Sequence, residues 1–279
     1  MNTPIFILTD FGNHDPFVGI MKGVIANIAP ENTTIDLTQK IKPGDIQQGA
    51  IVLWQSLPYL PTGSTILAVI DPGVGTQRSP IILETQGFRL IGPDNGLFSF
   101  ILDGNHRAWK LQNPALALPN PRMTFHGRDI FAPAAAHAAL GVPGPEFGEE
   151  TSQLELLPNP KLESSIPGKI HGEILHADQF GNLLTSIGIF TPTQSTAHRF
   201  SPWIGELPAQ NIMLKTSKLH LPSGLQLPLV STFAEIPDGK GAALIGSSGL
   251  LEIAANRQSA ANLLNLQGGE RVTLTTHPS

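Results

Sequence analysis

Asp71 and Arg78 bracket the glycine-rich segment Pro72-Gly73-Val74-Gly75-Thr76-Gln77. A loop of that composition can fold back, so the carboxylate and the guanidinium can pair across it. Paired in this way, the carboxylate is held ionised and fixed in orientation. A purely structural salt bridge that staples the loop satisfies the same spacing. His126 stands in Thr124-Phe125-His126-Gly127-Arg128-Asp129, just ahead of an Ala-rich segment, Ile130 to Leu140, that reads as a helix. A histidine there, followed by glycine, can approach a ligand closely and exchange protons near neutral pH. Capping or packing the helix start is the competing reading. Asp10, in Asp10-Phe11-Gly12-Asn13-His14-Asp15, ends a strand-like run. Asp15 is the better helix cap because Pro16 follows it, which leaves Asp10 for a ligand such as a ribose hydroxyl. Asp10, His14 and Asp15 show no ordered metal-ligand spacing, and no metal is expected. Two polar stretches further on, Asp178-Gln179-Phe180-Gly181-Asn182 and Gly246-Ser247-Ser248-Gly249-Leu250-Leu251-Glu252, also read as ordinary turns.

These residues need elements to position them. Ile5–Thr9, Thr34–Leu37, Thr65–Ile70, Pro80–Glu84 and Phe88–Ile91 are expected strands. Phe17–Ile28 and Asp45–Leu57 carry apolar residues at helical spacing, each with a proline just beyond. Strands alternating with such helices imply right-handed crossovers and a mainly parallel sheet. Ligands gather outside the carboxyl ends of such strands, where Asp10, Asp71 and Asp94 would converge. Gly141 to Gly168 lacks periodicity and reads as a boundary region. Beyond it lie short strand-like pieces at Lys169–Leu175, Leu183–Ile187, Leu225–Thr232, Ala242–Ile245 and Arg271–Thr275, with one short helix between Ser259 and Leu266. The expected fold class is α/β: an N-terminal mainly parallel sheet with flanking helices over 1–155, a linker over 156–167, and a smaller C-terminal β-rich domain over 168–279.

Composition narrows the function. The 279 residues carry a net charge of −5 and no Lys/Arg run, which argues against a nucleic-acid surface. Absence of cysteine removes disulfides, thiolate nucleophiles and Cys-type zinc sites. No apolar stretch approaches the ~20 residues that span a bilayer. The N-terminus enters a strand-like run without a basic segment, so no signal peptide and a cytoplasmic location are expected. Only 14% of residues are charged, against roughly 25% in typical soluble domains, a deficit that hints at subunit contacts.

Taken in order, Thr-Asp-Phe-Gly (9 to 12), Asp-Pro-Gly-Val-Gly (71 to 75) with Arg78, Pro-Asp-Asn-Gly (93 to 96), Thr-Phe-His-Gly-Arg-Asp (124 to 129), Phe-Gly-Asn (180 to 182) and Ser-Ser-Gly (247 to 249) resemble the S-adenosyl-L-methionine hydroxide adenosyltransferases, relatives of the fluorinases and chlorinases. The resemblance runs from about residue 5 to residue 275. It implies a C-terminal β-barrel-like domain and a homotrimer with S-adenosylmethionine (SAM) bound at subunit interfaces. The implied reaction is attack of water or hydroxide on the ribose C5′, releasing adenosine and L-methionine, with SAM as substrate and no cofactor. The family's catalytic Asp, Arg and His fall on Asp71, Arg78 and His126. Asp10 falls where the ribose hydroxyls are held, Asp178 and Ser247 around the methionine amine and carboxylate, and Asn182 near adenine. Glu252 is a second anchor at the methionine end.

Two departures accompany the resemblance. Gly44 stands where the halogenases carry a tryptophan, and Ser248 where they carry an arginine that would pair with the methionine carboxylate. Three rival readings remain: a halogenase on the same fold, a metal-dependent hydrolase using Asp10, His14, Asp15 and Asp94, and a non-catalytic sensor. The halogenase that this chain resembles has tyrosines aligned with Asp71 and His126, whereas a carboxylate at 71 would repel an incoming halide.

Overall fold

The structure is a computed structural model that describes residues 3–166, 168–193 and 197–276. It contains two compact units, Met1–Leu157 and Pro158–Ser279. Of the expected domain and linker spans, residues 1–2, 167, 194–196 and 277–279 lie outside the described residues.

In the first unit the elements run β1 (Ile5–Thr9), α1 (Phe17–Ile28), β2 (Thr34–Thr38), α2 (Ile46–Ser56), β3 (Thr65–Val69), β4 (Pro80–Thr85), β5 (Phe88–Pro93), β6 (Arg107–Lys110), α3 (Ala132–Ala139) and β7 (Glu150–Thr151). The seven strands form one sheet in the order β2-β1-β3-β5-β4-β6-β7. Every residue of β1 and β3 is buried, as in sheets covered on both faces. Alternation divides them: Ile5, Ile7, Leu67 and Val69 pack with Val18, Met21 and Ile25 of α1 and the alanines of α3. Phe6, Leu8, Ile66 and Ala68 pack with Leu53 of α2 on the other side.

The α/β class is as expected, but the sheet is mixed. β2, β1, β3 and β5 run parallel, whereas β4, β6 and β7 continue the sheet antiparallel. The cause is the two-residue turn Gln86-Gly87, with φ of 50° and 81°. Positive φ at both positions matches the tight hairpin turn that returns a strand beside itself, so no crossover joins β4 to β5. Asp15 does not cap α1. Pro16 is the residue ahead of the helix, and no side chain caps it. Asp45 does cap α2, accepting from the Gln48 N–H at 2.9 Å.

The regular structure of the second unit is mainly strand: β8 (Leu162–Ile166), β9 (Lys169–Ala177), β10 (Leu183–Thr185), β11 (Phe190–Pro192), β12 (His198–Phe200), β13 (Gln210–Ile212), β14 (Lys218–His220), β15 (Gln226–Pro228), β16 (Gly241–Ile245), β17 (Leu251–Ala255) and β18 (Arg271–Thr275), with α4 (Ala260–Leu264) before the last strand. One antiparallel sheet runs β15-β14-β18-β9-β10-β17-β16, with β8 beside β9. Its two ends meet at a bridge between Leu229 and Ala243, which nearly closes a barrel. β11, β12 and β13 form a separate small sheet. The strand expected to reach Thr232 stops at Pro228, and β17 forms where the sequence shows only the tail of a polar loop.

Gly92 of β5 is where the packing of the parallel strands is least forgiving. A Cβ there would lie 2.3 Å from the Ala68 carbonyl oxygen of β3, a backbone atom that cannot yield. Gly92→Ala is expected to cost about 1–3 kcal/mol by overpacking, read as a lower urea midpoint at an unchanged slope. An unchanged midpoint would show that the two strands can part without cost.

Candidate active site

Asp71 leaves the carboxyl end of β3, and the loop behind it closes by local bonds. The Val74 N–H donates to the Asp71 carbonyl at 3.2 Å, and the Thr76 N–H and hydroxyl donate to the Gly73 carbonyl at 3.1 and 2.7 Å. Gly75 has φ of 79°, and a Cβ on it would lie 2.8 Å from the Met123 carbonyl oxygen. Only glycine therefore lets the loop pass under the segment that leads to His126. This fold-back sets the Arg78 guanidinium against Asp71. Nε donates to Oδ1 at 2.9 Å, while Nη2 donates to Oδ2. Both side chains are less than a tenth exposed. Burying two charges costs several kcal/mol each, and a bidentate pair is the geometry that offsets it.

Arg78 has a second partner. Its Nη2 also lies 2.9 Å from Nδ1 of His126. A guanidinium has no lone pair to offer, so it must be the donor and Nδ1 the acceptor. The neutral ring accordingly carries its proton on Nε2. Burial lowers the His126 pKa below the ordinary value, and the Arg78 charge lowers it further, against opposing pulls from Asp71 and Asp129. His126 makes no side-chain cap to the helix it precedes; a π turn over Gly127–Phe131 leads instead into α3. Phe131 from that turn lies under the guanidinium, 5.2 Å from Cζ to the ring centroid. Nη1 of Arg78 is buried with no hydrogen-bond partner among the described residues.

Asp71 and His126 line a pocket of about 130 Å³ with Phe11, Phe17, Val69, Val74, Thr124, Phe125 and Gly127. The three phenylalanines meet edge to face, with centroids 5.3–6.2 Å apart. The pocket thus combines aromatic rings with the Asp71 carboxylate and the His126 imidazole. No motif or spacing in the sequence marks these rings or Phe131. Their clustering depends on residues more than a hundred positions apart.

Asp10 and Asp94 start at the same sheet edge as Asp71 but do not line this pocket. One oxygen of Asp10 accepts the Gly44 N–H at 2.8 Å, and the other is unbonded among the described residues. Gly44, at φ 74°, thus meets Asp10 through its backbone N–H. Asp94 accepts the Glu155 N–H at 2.9 Å, and burial raises its pKa. Asn95 instead does the positioning, donating from Nδ2 to the Ile70 carbonyl at 2.9 Å and so tying the end of β5 to the residue before Asp71. His14 and Asp15 are exposed, and among the described residues no three His, Asp or Glu side chains gather as a metal site.

The remaining candidates meet in the second unit. Asp178, Asn182, Ser247 and Glu252 all line one cavity of about 840 Å³. Asp178 is both turn and wall: its carboxylate accepts N–H groups of Phe180 and Asn182 at 2.8 and 2.9 Å and the Asn182 amide at 3.0 Å. Glu252, on β17, has its pKa raised to about 7 by burial and by the nearby Asp178 charge. Ser248 is not among the lining residues, and its buried hydroxyl has no partner among the described residues. The guanidinium on this cavity comes from Arg257, at a left-handed turn after β17, a residue that sequence motifs did not mark.

The Arg78 contact fixes an observable state. In nitrogen-15 NMR, His126 is expected as the neutral Nε2–H tautomer at pH 6.5, the ordinary histidine value, and to gain its second proton only below it. An imidazolium at that pH, or a proton on Nδ1, would contradict the contact.

Known proteins resemble this chain over nearly its whole length. Residues 5–148 match the SAM hydroxide adenosyltransferase N-terminal domain, and residues 172–273 match the corresponding C-terminal domain. The chain is 39% identical to an (R)-S-adenosyl-L-methionine hydrolase of Thermus thermophilus, covering 97% of this chain and 99% of that protein. It is 28% identical to a fluorinase of an Actinoplanes species, covering 98% of each. A crystal structure of an uncharacterized conserved protein from Thermotoga maritima superposes with a TM-score of 0.81 at 28% identity, covering 97% of this chain and 99% of that one. The chain belongs to the SAM hydroxide adenosyltransferase family.

Proposed function

We propose that this protein hydrolyses SAM to adenosine and L-methionine by attack of water on the ribose C5′. The observation that carries the reading is the buried Asp71–Arg78–His126 chain beside an aromatic-walled pocket. A sulfonium is already a good leaving group and needs no acid. Water, with a pKa of roughly 15.7, is the reluctant partner. A fixed carboxylate orients one water and accepts its proton as the C5′–O bond forms. The C5′–S bond breaks with its electron pair going to sulfur, and the proton passes from the carboxylate to solvent. In this arrangement Asp71 is the acceptor, because Arg78 occupies Nδ1 of His126 and Nε2 carries a proton. His126 Nε2–H is then a donor for a water with growing hydroxide character, while Arg78 holds Asp71 and His126 in place. Holding that water in line contributes several kcal/mol more.

For binding, the reading assigns Asp10 to the ribose hydroxyls, Asn182 to adenine, and Asp178, Ser247 and Glu252 to the amino-acid end. It also includes a homotrimer that shares SAM between subunits, and a cytoplasmic location. Phe17, Ile20, Val74 and Met123 support an assembly: they are large apolar side chains left 37–61% exposed on the first unit. Among the described residues no helix is long and apolar enough to cross a membrane.

Halogenation is the reading to test against. The Asp71 carboxylate on the pocket wall repels halide, and identity to the hydrolase named above exceeds that to the fluorinase. Incubation with SAM and excess chloride or fluoride is expected to yield adenosine alone, and a 5′-halogenated nucleoside would overturn the proposal. Asp71→Asn, which keeps the side-chain shape, is expected to lower kcat on the order of 10²–10³-fold with unchanged circular dichroism. Near-native turnover in that variant would remove Asp71 from the chemistry.

A further inference from the structure

Thr9 and Gln39 are uncharged polar side chains buried to 0% and 5% exposure. A bulge brings them together. Ile7 of β1 is level with Asp36 of β2, but Leu8 is level with Thr38, so Leu37 is an extra residue in β2. The chain is advanced by one position, and Gln39 meets Thr9 where β1 ends. The Thr9 hydroxyl donates to Oε1 of Gln39. Gln39 Nε2 donates to Asp36 Oδ1 at 3.0 Å, and Lys22 of α1 donates to the other Asp36 oxygen at 2.7 Å. A carboxylate only accepts, so Asp36 fixes which end of the amide faces Thr9. The Thr9 oxygen is left to accept, and it takes the Phe11 N–H at 3.2 Å. The Gln39 carbonyl takes the Gly12 N–H at 2.7 Å. Thr9 and Gly12, the two ends of the Asp10-Phe11 turn, are thus both bonded to Gln39.

We propose that Gln39 is a positioning residue: it sets the turn that presents Asp10 to the ribose hydroxyls and Phe11 to the reaction pocket. This rests on the function proposed above, which gives the ribose to Asp10. A buried pair of polar partners adds little stability that an apolar pair of the same shape would not add. What it adds is direction, because each hydrogen bond is made in one orientation only. Asp10 spends one oxygen on the Gly44 N–H and leaves the other unbonded among the described residues, so the aim of that oxygen follows the turn. Phe11 reaches the pocket through the same stretch of backbone, and its ring then meets Phe17 and Phe125.

The test compares SAM with its 2′-deoxyribose analogue, which lacks one hydroxyl given to Asp10, in wild type, Gln39→Met, Thr9→Val and the double variant. Both rates come from the same folded molecules, so the ratio of the kcat/KM values does not register a loss of folded protein. Each single variant is expected to lose about tenfold of the preference for SAM, and Thr9→Ser, which restores the hydroxyl, to recover most of it. Thermal midpoints separate positioning from stability. A single variant leaves a buried polar group without its partner and melts lower, whereas the double variant removes both groups and regains most of the midpoint. Its preference is expected to stay low. A double variant that regained the preference along with the midpoint would overturn the proposal, as would an unchanged preference in Gln39→Met. A wild type that hydrolyses both compounds alike would overturn it through Asp10 while leaving hydrolysis standing. A wild type that leaves SAM intact would instead overturn the function on which the role rests.

Discussion

A guanidinium buried beside a sheet edge has to be satisfied from within the protein, and the way Arg78 is satisfied organises the first unit's site. Two of its N–H groups go to Asp71, one nitrogen also reaches His126, and its face lies on Phe131. Each contact constrains a different element. The carboxylate pair folds the 72–77 loop back onto β3. The bond to Nδ1 decides which nitrogen of His126 holds a proton, and the ring contact seats the π turn ahead of α3. Removing one member leaves a buried charge without its partner, a loss of about 3–5 kcal/mol in comparable pairs. In the proposed mechanism, chemistry and local stability draw on the same three side chains, and the staple and the catalytic reading of Asp71–Arg78 do not exclude one another.

The sheet supplies the frame. β1, β3 and β5 are parallel neighbours, so their carboxyl ends open on one edge. Three carboxylates begin there and have separate fates. Asp71 takes Arg78, Asp10 takes one backbone N–H and keeps an oxygen free among the described residues, and Asp94 turns to Glu155. The nearly closed barrel of the second unit gathers residues from the β9–β10 turn, the β16–β17 turn and β17 onto one cavity wall. Asp178, Glu252 and Arg257 are the charged residues that line it.

Much of this was legible in the residue order. Phe17–Ile28 shows its helix through apolar spacing, and β1 and β18 coincide with the expected strands, because a continuous apolar run or a strict alternation is a local signal. The Asp71–Arg78 pair was readable because a glycine-rich loop spans a short distance. The bond from Arg78 to His126 was not, since it joins positions 48 apart and depends on where the sheet places them. The family resemblance brought those residues together before the geometry did. The Gln86-Gly87 hairpin escaped because it turns on backbone angles at a dipeptide without a strong turn signature. Three-residue strands such as β12 and β13 are too short to display a period. Arg257 and the phenylalanine wall are products of tertiary placement, which no spacing rule reports.

The central claim is that water, positioned by Asp71, Arg78 and His126, is the nucleophile at C5′. Mass spectrometry of the products formed from SAM in oxygen-18 water tests it most directly. Attack by water places one heavy oxygen in adenosine, at the 5′-hydroxyl, and none in L-methionine. Adenosine without label, or label in methionine, would contradict it.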